Sequence, residues 1–236
     1  NIDLEQKVTL RTGSMAWQPW PQPGVRHKPL DCIGTERSGK ITTILRMAPG
    51  TELEPHDHPE GEEILVLEGS FADENGVYGK GAYVFNPDGS RHKAYSKDGC
   101  VMFLKLRQHP GKDRQRVVVD TTKTDWLSEG HAGRYVKKLN ISPGYPEIEN
   151  IRFTRLDKGI RVASHAHPGG NEMFILEGSI ADEHGLFMPG DWIRQPAGSR
   201  HAPWTDDGCV LYVRDGHIRP RDPSAIPIET PEHHRR

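Results

Sequence analysis

Short apolar runs of strand length recur along the whole chain: ITTILRM, EILVLEG, GAYVFN, CVMFLKL, IRFTRL, EMFILEG and CVLYVRD. Many alternate apolar and polar positions, and turn-forming residues separate them, which is the signature of β-strands. DENG (73–76) and DEHG (182–185) fall between successive strands and read as hairpin turns. No stretch sustains a helical period; residues 124–129 suggest at most a single helical turn. Regularly spaced strands without helices predict an all-β sandwich or closed barrel.

The strand pattern is written twice. PGTELEPHDHPEGEEILVLEGSFADENG and GAYVFNPDGSRH in the first half answer KGIRVASHAHPGGNEMFILEGSIADEHG and GDWIRQPAGSRH in the second. His56, His58 and His92 pair with His165, His167 and His201 at a constant offset of 109, as do Gly50, Gly69 and Gly81 with Gly159, Gly178 and Gly190. One fold is therefore used twice. The expected units are 1–110 with an N-terminal arm, 111–218 comprising a linker and the second unit, and a Pro-rich tail 219–236. The arm WQPWPQPGVRHKP should lie extended across a barrel edge, and RVVVD in the linker should add an outer strand. The tail histidines His233 and His234 are not expected to act as ligands.

Composition narrows the function. The 236 residues carry a formal net charge of -2 with no basic block, which argues against a nucleic-acid surface. No apolar run approaches the ~20 residues of a membrane-spanning helix, and the N-terminus shows no secretory signal. Three widely spaced cysteines do not make a disulfide framework, so a reducing cytoplasm is the expected compartment. Cys100 and Cys209, repeat equivalents within strand-like runs, should be small core residues. No Ser-His-Asp or Cys-His arrangement suggests nucleophilic chemistry.

The histidines carry the chemistry. In HDH the two imidazoles alternate, so a strand points both to one face. A carboxylate a few residues later and a distant histidine complete a four-ligand N/O set, fit for Zn, Fe, Mn, Ni or Cu. In NPDGSRH, Pro87 and Gly89 shape a turn that aims His92 back inside, and PAGSRH does the same for His201.

These residues resemble the two motifs of the cupin superfamily. Gly50, His56, His58, Glu62 and Gly69 match the first motif; Gly81, Pro87, Gly89 and His92 match the second, whose final Asn is replaced by Ser96, and by Thr205 in the second half. The resemblance covers nearly the whole chain and implies two tandem cupin barrels, each a double-stranded β-helix or jelly roll. A finer resemblance is to the cupin-like domain of ChrR-type anti-sigma factors, carried by HPEGEEILVLEGSFADENG, NPDGSRH and WQPWPQPGVRHKPLD, without the helical Cys/His module that holds the sigma factor. Similar stand-alone cupins include acetylacetone-cleaving dioxygenases, which use iron held by histidines.

The halves differ at the carboxylate. Glu62 holds the ligand position in the first, and its partner in the second is Asn171, followed by Glu172 where the first has Glu63. Adjacent strand residues face opposite sides, so the fourth ligand of site two is either neutral Asn171 or a slipped Glu172. With Asn171, site two has three neutral histidines and no compensating charge, and should bind metal more weakly. Tyr83, Phe85 and Tyr95, with Trp192, Arg194 and Trp204, are the expected pocket lining, or else fill the barrel.

The resemblance implies a metal-binding sensory bicupin, with zinc closed by His56, His58, Glu62 and His92 and a small molecule or oxidant as signal. The competing reading is a non-haem iron dioxygenase acting on a small diketone or phenolic ketone. A structural metal in a storage or scaffold barrel is the third. Monomer and homodimer are both compatible with an internal tandem.

Overall fold

The structure is a computed structural model that describes residues 3–35, 38–111, 113–140 and 150–218. The tail 219–236, with His233 and His234, lies outside the described residues. Among those described there is no α-helix; a 3-10 turn at Thr12–Ser14 is the helical element, and the segment at 124–129 carries the short strand Leu127–Ser128 instead of a helical turn.

One ten-stranded sheet carries the first half and one seven-stranded sheet the second. At the centre of the first, Glu62–Asp73 lies between Ala82–Asn86 and Cys100–Leu106, followed by Lys40–Met47 and Val25–Ile33. The second repeats this with Asn171–Gly178 between Asp191–Gln195 and Cys209–Asp215. DENG and DEHG turn hairpins, with Asp73 opposite Gly76 and Asp182 opposite Gly185.

Period-two alternation explains why these strands are buried on both faces. Ile64, Val66, Val84, Met102 and Leu104 point into the first barrel. Their neighbours Leu65, Tyr83, Phe85 and Phe103 point outward, onto Phe153, Phe174, Trp192 and Tyr212 of the second half. The two barrels thus share a third hydrophobic layer, in which Phe103 stacks on Phe174 at 5.2 Å. Cys100 and Cys209 are buried core residues. Gly69 and Gly178 have left-handed φ (67° and 66°), and a Cβ on either would run into the carbonyl oxygen of Gly99 or Gly208, so the repeated glycine is a steric necessity.

The halves exchange their first strands. Val8–Arg11 pairs antiparallel with Asp191–Gln195 of the second barrel, while Val117–Asp120 pairs with Ala82–Asn86 of the first. The outer strand expected in RVVVD is present, and it completes the sheet of the half that precedes it. The division of the chain near residue 110 and the division between sheets therefore do not coincide.

The shared layer also buries charge. Lys105 Nζ donates to both Glu172 carboxylate oxygens (2.7 and 2.6 Å) and to Thr42 Oγ1 (2.9 Å). At the repeat-related position Glu63 accepts from the Tyr212 hydroxyl (2.6 Å), lies 2.9 Å from His109 Nε2 and faces Arg214 at 4.0 Å. Each glutamate takes a hydrogen bond from the opposite barrel, Glu172 from Lys105 and Glu63 from Tyr212.

Candidate metal centres

His56–His58 and Ser90–His92 form a two-stranded ladder in which His56 stands opposite His92; His165–His167 and Ser199–His201 repeat it with His165 opposite His201. In each half the three imidazoles fall on one face, and their ligand nitrogens lie within 4.8 Å of one another. All six sequence-predicted histidines are thus brought into two clusters.

Glu62 faces the first cluster. Its Oε2 is 3.4 Å from His58 Nε2 and 3.6 Å from His92 Nε2, and Asn86 Nδ2 donates to it (2.9 Å). Burial raises the Glu62 carboxyl above its ordinary range against the opposing pull of His92. His58 is pushed down to about 3, by burial and then by His56, so its ring is neutral. The buried His58 Nε2 has no hydrogen-bond partner among the described residues. A neutral imidazole nitrogen and a buried carboxylate aimed at one point suit a cation between them.

The far side of five of the six rings is committed. His56 Nδ1 donates to the Glu54 carbonyl (2.8 Å) and His165 Nδ1 to the Ala163 carbonyl (3.0 Å). His92 Nδ1 is 3.3 Å from Asp73 Oδ2, and His201 Nδ1 is 3.3 Å from Asp182 Oδ2. Such partners place the proton on Nδ1 and leave the Nε2 lone pair for a metal. In the second cluster His167 Nε2 and His201 Nε2 are 3.1 Å apart. Two nitrogens bound to one zinc at 2.0–2.1 Å stand roughly 3.0–3.4 Å apart, so this spacing fits a metal pair.

The fourth position resolves by geometry. Glu172 points away from the cluster, into the shared layer, where Lys105, Trp192 Nε1 (2.7 Å) and His217 Nε2 (2.9 Å) hold it. Asn171 faces inward. Its Nδ2 donates to Asp215 Oδ1 (2.6 Å), and its buried Oδ1 has no hydrogen-bond partner among the described residues. Asp215 also accepts a hydrogen bond from His167 Nδ1 (3.1 Å) and pairs with Arg152 (2.6 Å). Burial raises this carboxyl, but His167, Arg152 and Asn171 outweigh it and hold it below the usual carboxylate range. The charge that seemed absent from site two therefore sits one shell further out. In the first half Leu106 occupies this position.

The exchanged arms reach both sites. Arg116, preceding Val117–Asp120, donates from Nη2 to Asp73 Oδ2 (3.0 Å) and the Tyr78 hydroxyl (2.7 Å), and from Nε to Asn86 Oδ1 (2.9 Å). It therefore touches the partner of His92 and the amide that holds Glu62. Lys7, its repeat equivalent, lies 3.4 Å from Asp182 and 5.4 Å over the Phe187 ring. Sequence reasoning missed these outer residues. Asp73 and Asp182 were visible as repeated positions in DENG and DEHG. Arg116 and Lys7 were not, because nothing in a repeat says which barrel an arm joins. Arg116→Met should weaken metal retention in site one by roughly ten- to a hundredfold, the usual cost of an outer-shell partner, and leave site two unchanged. Chelator competition checks this.

A cavity of about 260 Å³ opens onto the first cluster. Leu45, Met47, Phe71, Met102 and Leu104 form its wall, and Trp20, Gln22 and Arg107 border it. The aromatics expected to line it lie elsewhere. Tyr83, Phe85 and Trp192 belong to the shared layer, and Arg194 pairs with Asp31 there. They share one face of their strands, and it is the face opposite the metal.

Fold and sites together define a tandem cupin with one histidine cluster in each barrel. The chain belongs to the family of the ChrR cupin-like domain, whose model matches it twice, over residues 5–110 and 114–219. No curated protein matches it significantly. Its fold is similar to that of a candidate dioxygenase from Nostoc punctiforme, with a TM-score of 0.75 at 16% identity over 97% of this chain and 88% of that one. A cupin 2 conserved barrel domain protein from Leptotrichia buccalis gives 0.61 at 12% (89% and 96% covered). Oxalate decarboxylase from Lactobacillus farciminis gives 0.61 at 13% (89% and 86% covered). At these identities the likeness is one of fold.

Proposed function

We propose that the first barrel binds one divalent metal ion through His56, His58, His92 and Glu62, and that this centre responds to a small molecule or oxidant entering the cavity above it. The observation that carries the reading is the convergence of three imidazoles and one buried carboxylate at the foot of a largely apolar cavity. Zinc is favoured, since four protein ligands complete its tetrahedral preference. The second barrel offers His165, His167, His201 and the neutral oxygen of Asn171, and binds more weakly.

A second reading has its own support. The cavity gives a ligand direct access to the cluster, and the candidate dioxygenase shares this fold. Iron held by the same residues would keep open positions for a small diketone or phenolic ketone and O2.

Element-specific metal analysis of protein purified without chelator separates the two, together with the visible spectrum of the cobalt-substituted form. Near one zinc per chain and the intense bands of four-coordinate cobalt are expected. Near-stoichiometric iron, with oxygen uptake on a small diketone, overturns the zinc reading in favour of the dioxygenase.

A further inference from the structure

Among the described residues two that are not glycine adopt a left-handed backbone, Glu60 (φ 55°) and Arg107 (φ 57°). Both lie beside the first metal cluster. The repeat equivalents are Gly169 and Gly216, the latter at φ 87°. The turn itself is the same in both halves: Arg107 N donates to the Gly61 carbonyl (3.0 Å), and Gly216 N to the Gly170 carbonyl (3.0 Å). Glycine makes this turn without strain, and a side chain there costs stability. The first half keeps an arginine where the second shows that glycine suffices.

That arginine borders the cavity. One guanidinium nitrogen donates to the Gly39 carbonyl (3.1 Å), which anchors the group, and no carboxylate of the described residues lies within ion-pair distance of it. Of the acids that border the cavity, Asp57 is paired with Arg91 at 3.0 Å and Glu62 faces the histidines. Apart from the histidines and Gln22, the remaining wall is apolar. A divalent ion with three neutral histidines and one carboxylate leaves a net positive charge, and Arg107 adds to it. The cavity of about 260 Å³ has room for roughly nine water-sized groups.

We propose that the first barrel binds a small organic monoanion, a carboxylate or enolate on a short apolar body. Its oxygens lie between the metal and Arg107, and its body packs against Leu45, Met47, Phe71 and Met102. The proposal rests on the metal reading above and names the ligand class of that site.

The test uses the metal-loaded full chain, with hexanoate and benzoate as probes and hexanamide and benzamide as their neutral counterparts, read by calorimetry. Saturable one-site binding of the acids is expected, with the amides at least tenfold weaker. Arg107→Gly installs the second half's residue; it should lose at least tenfold in acid affinity while its melting temperature holds or rises. Arg107→Lys should retain most of the affinity. Metal content is measured in every sample. Absence of metal from site one overturns the metal reading. Metal retained, with amides binding as well as acids or with Arg107→Gly as tight as wild type, overturns this inference alone.

Discussion

Lys105→Met should destabilise the protein by about 3–5 kcal/mol, the cost of leaving a buried carboxylate without its cation. For a chain of this size that lowers the melting temperature by roughly 10–15 °C. Lys105 is fully buried and donates to both oxygens of Glu172, which is itself 1% exposed. The double variant Lys105→Met/Glu172→Leu removes both charges and should recover most of the loss, because an apolar pair of similar volume avoids the desolvation penalty. Thermal unfolding of the three proteins checks this. The pH dependence follows from Glu172. Burial raises its carboxyl, but Lys105 and His217 outweigh burial and hold it well below the ordinary value of 4.5. A depressed folded value supplies stability above about 4.5 that is lost as pH falls. The gap between wild type and Lys105→Met should therefore narrow in acid, where the orphaned Glu172 of the variant takes up a proton.

Glu63 and Glu172, the second member of each Glu-Glu or Asn-Glu pair, thus serve the joint between barrels. The first member, Glu62 or Asn171, serves the metal cluster. One residue, half a strand period, separates the two roles. It also couples them. Shifting the strand Asn171–Gly178 by one residue would exchange an apolar layer for a barrel interior and remove Asn171 from the histidines.

Much of this was legible in the sequence. The offset of 109 announced two copies of one all-β unit, and HDH with its distant SRH placed six histidines in two clusters. Period two also said that Tyr83 and Phe85 share a face. It could not say which face, because strands buried on both sides are apolar throughout. The strand exchange was illegible for a related reason. Two repeat-equivalent arms look alike in sequence whether each folds onto its own barrel or the other's. Asp215 escaped notice because its repeat partner is Leu106, so no doubled signal marked it. Where the copies agree, sequence was a good guide; where they differ, side-chain geometry was needed.

Those differences predict how the two sites can be interconverted. Glu62→Gln keeps the volume of the side chain and an oxygen for Asn86, but removes the negative charge 3.4 Å from His58 and 3.6 Å from His92. Metal affinity of site one should fall by roughly a hundredfold or more, beyond the ten- to hundredfold typical of outer-shell partners. Measured in a His165→Ala background, which silences site two, an unchanged affinity would show that the first site is a three-histidine centre. The converse graft needs two changes. Asn171→Glu alone puts a second carboxylate where Nδ2 now sits 2.6 Å from Asp215 Oδ1, and like charges that close keep one of them protonated. Asp215→Leu supplies the residue of the first half, Leu106, and removes that conflict. In a His56→Ala background the double variant should therefore gain more affinity than Asn171→Glu alone. If both remain weak, the limit on site two lies in Arg152, whose charge Asp215 now answers at 2.6 Å and which the graft leaves without that carboxylate.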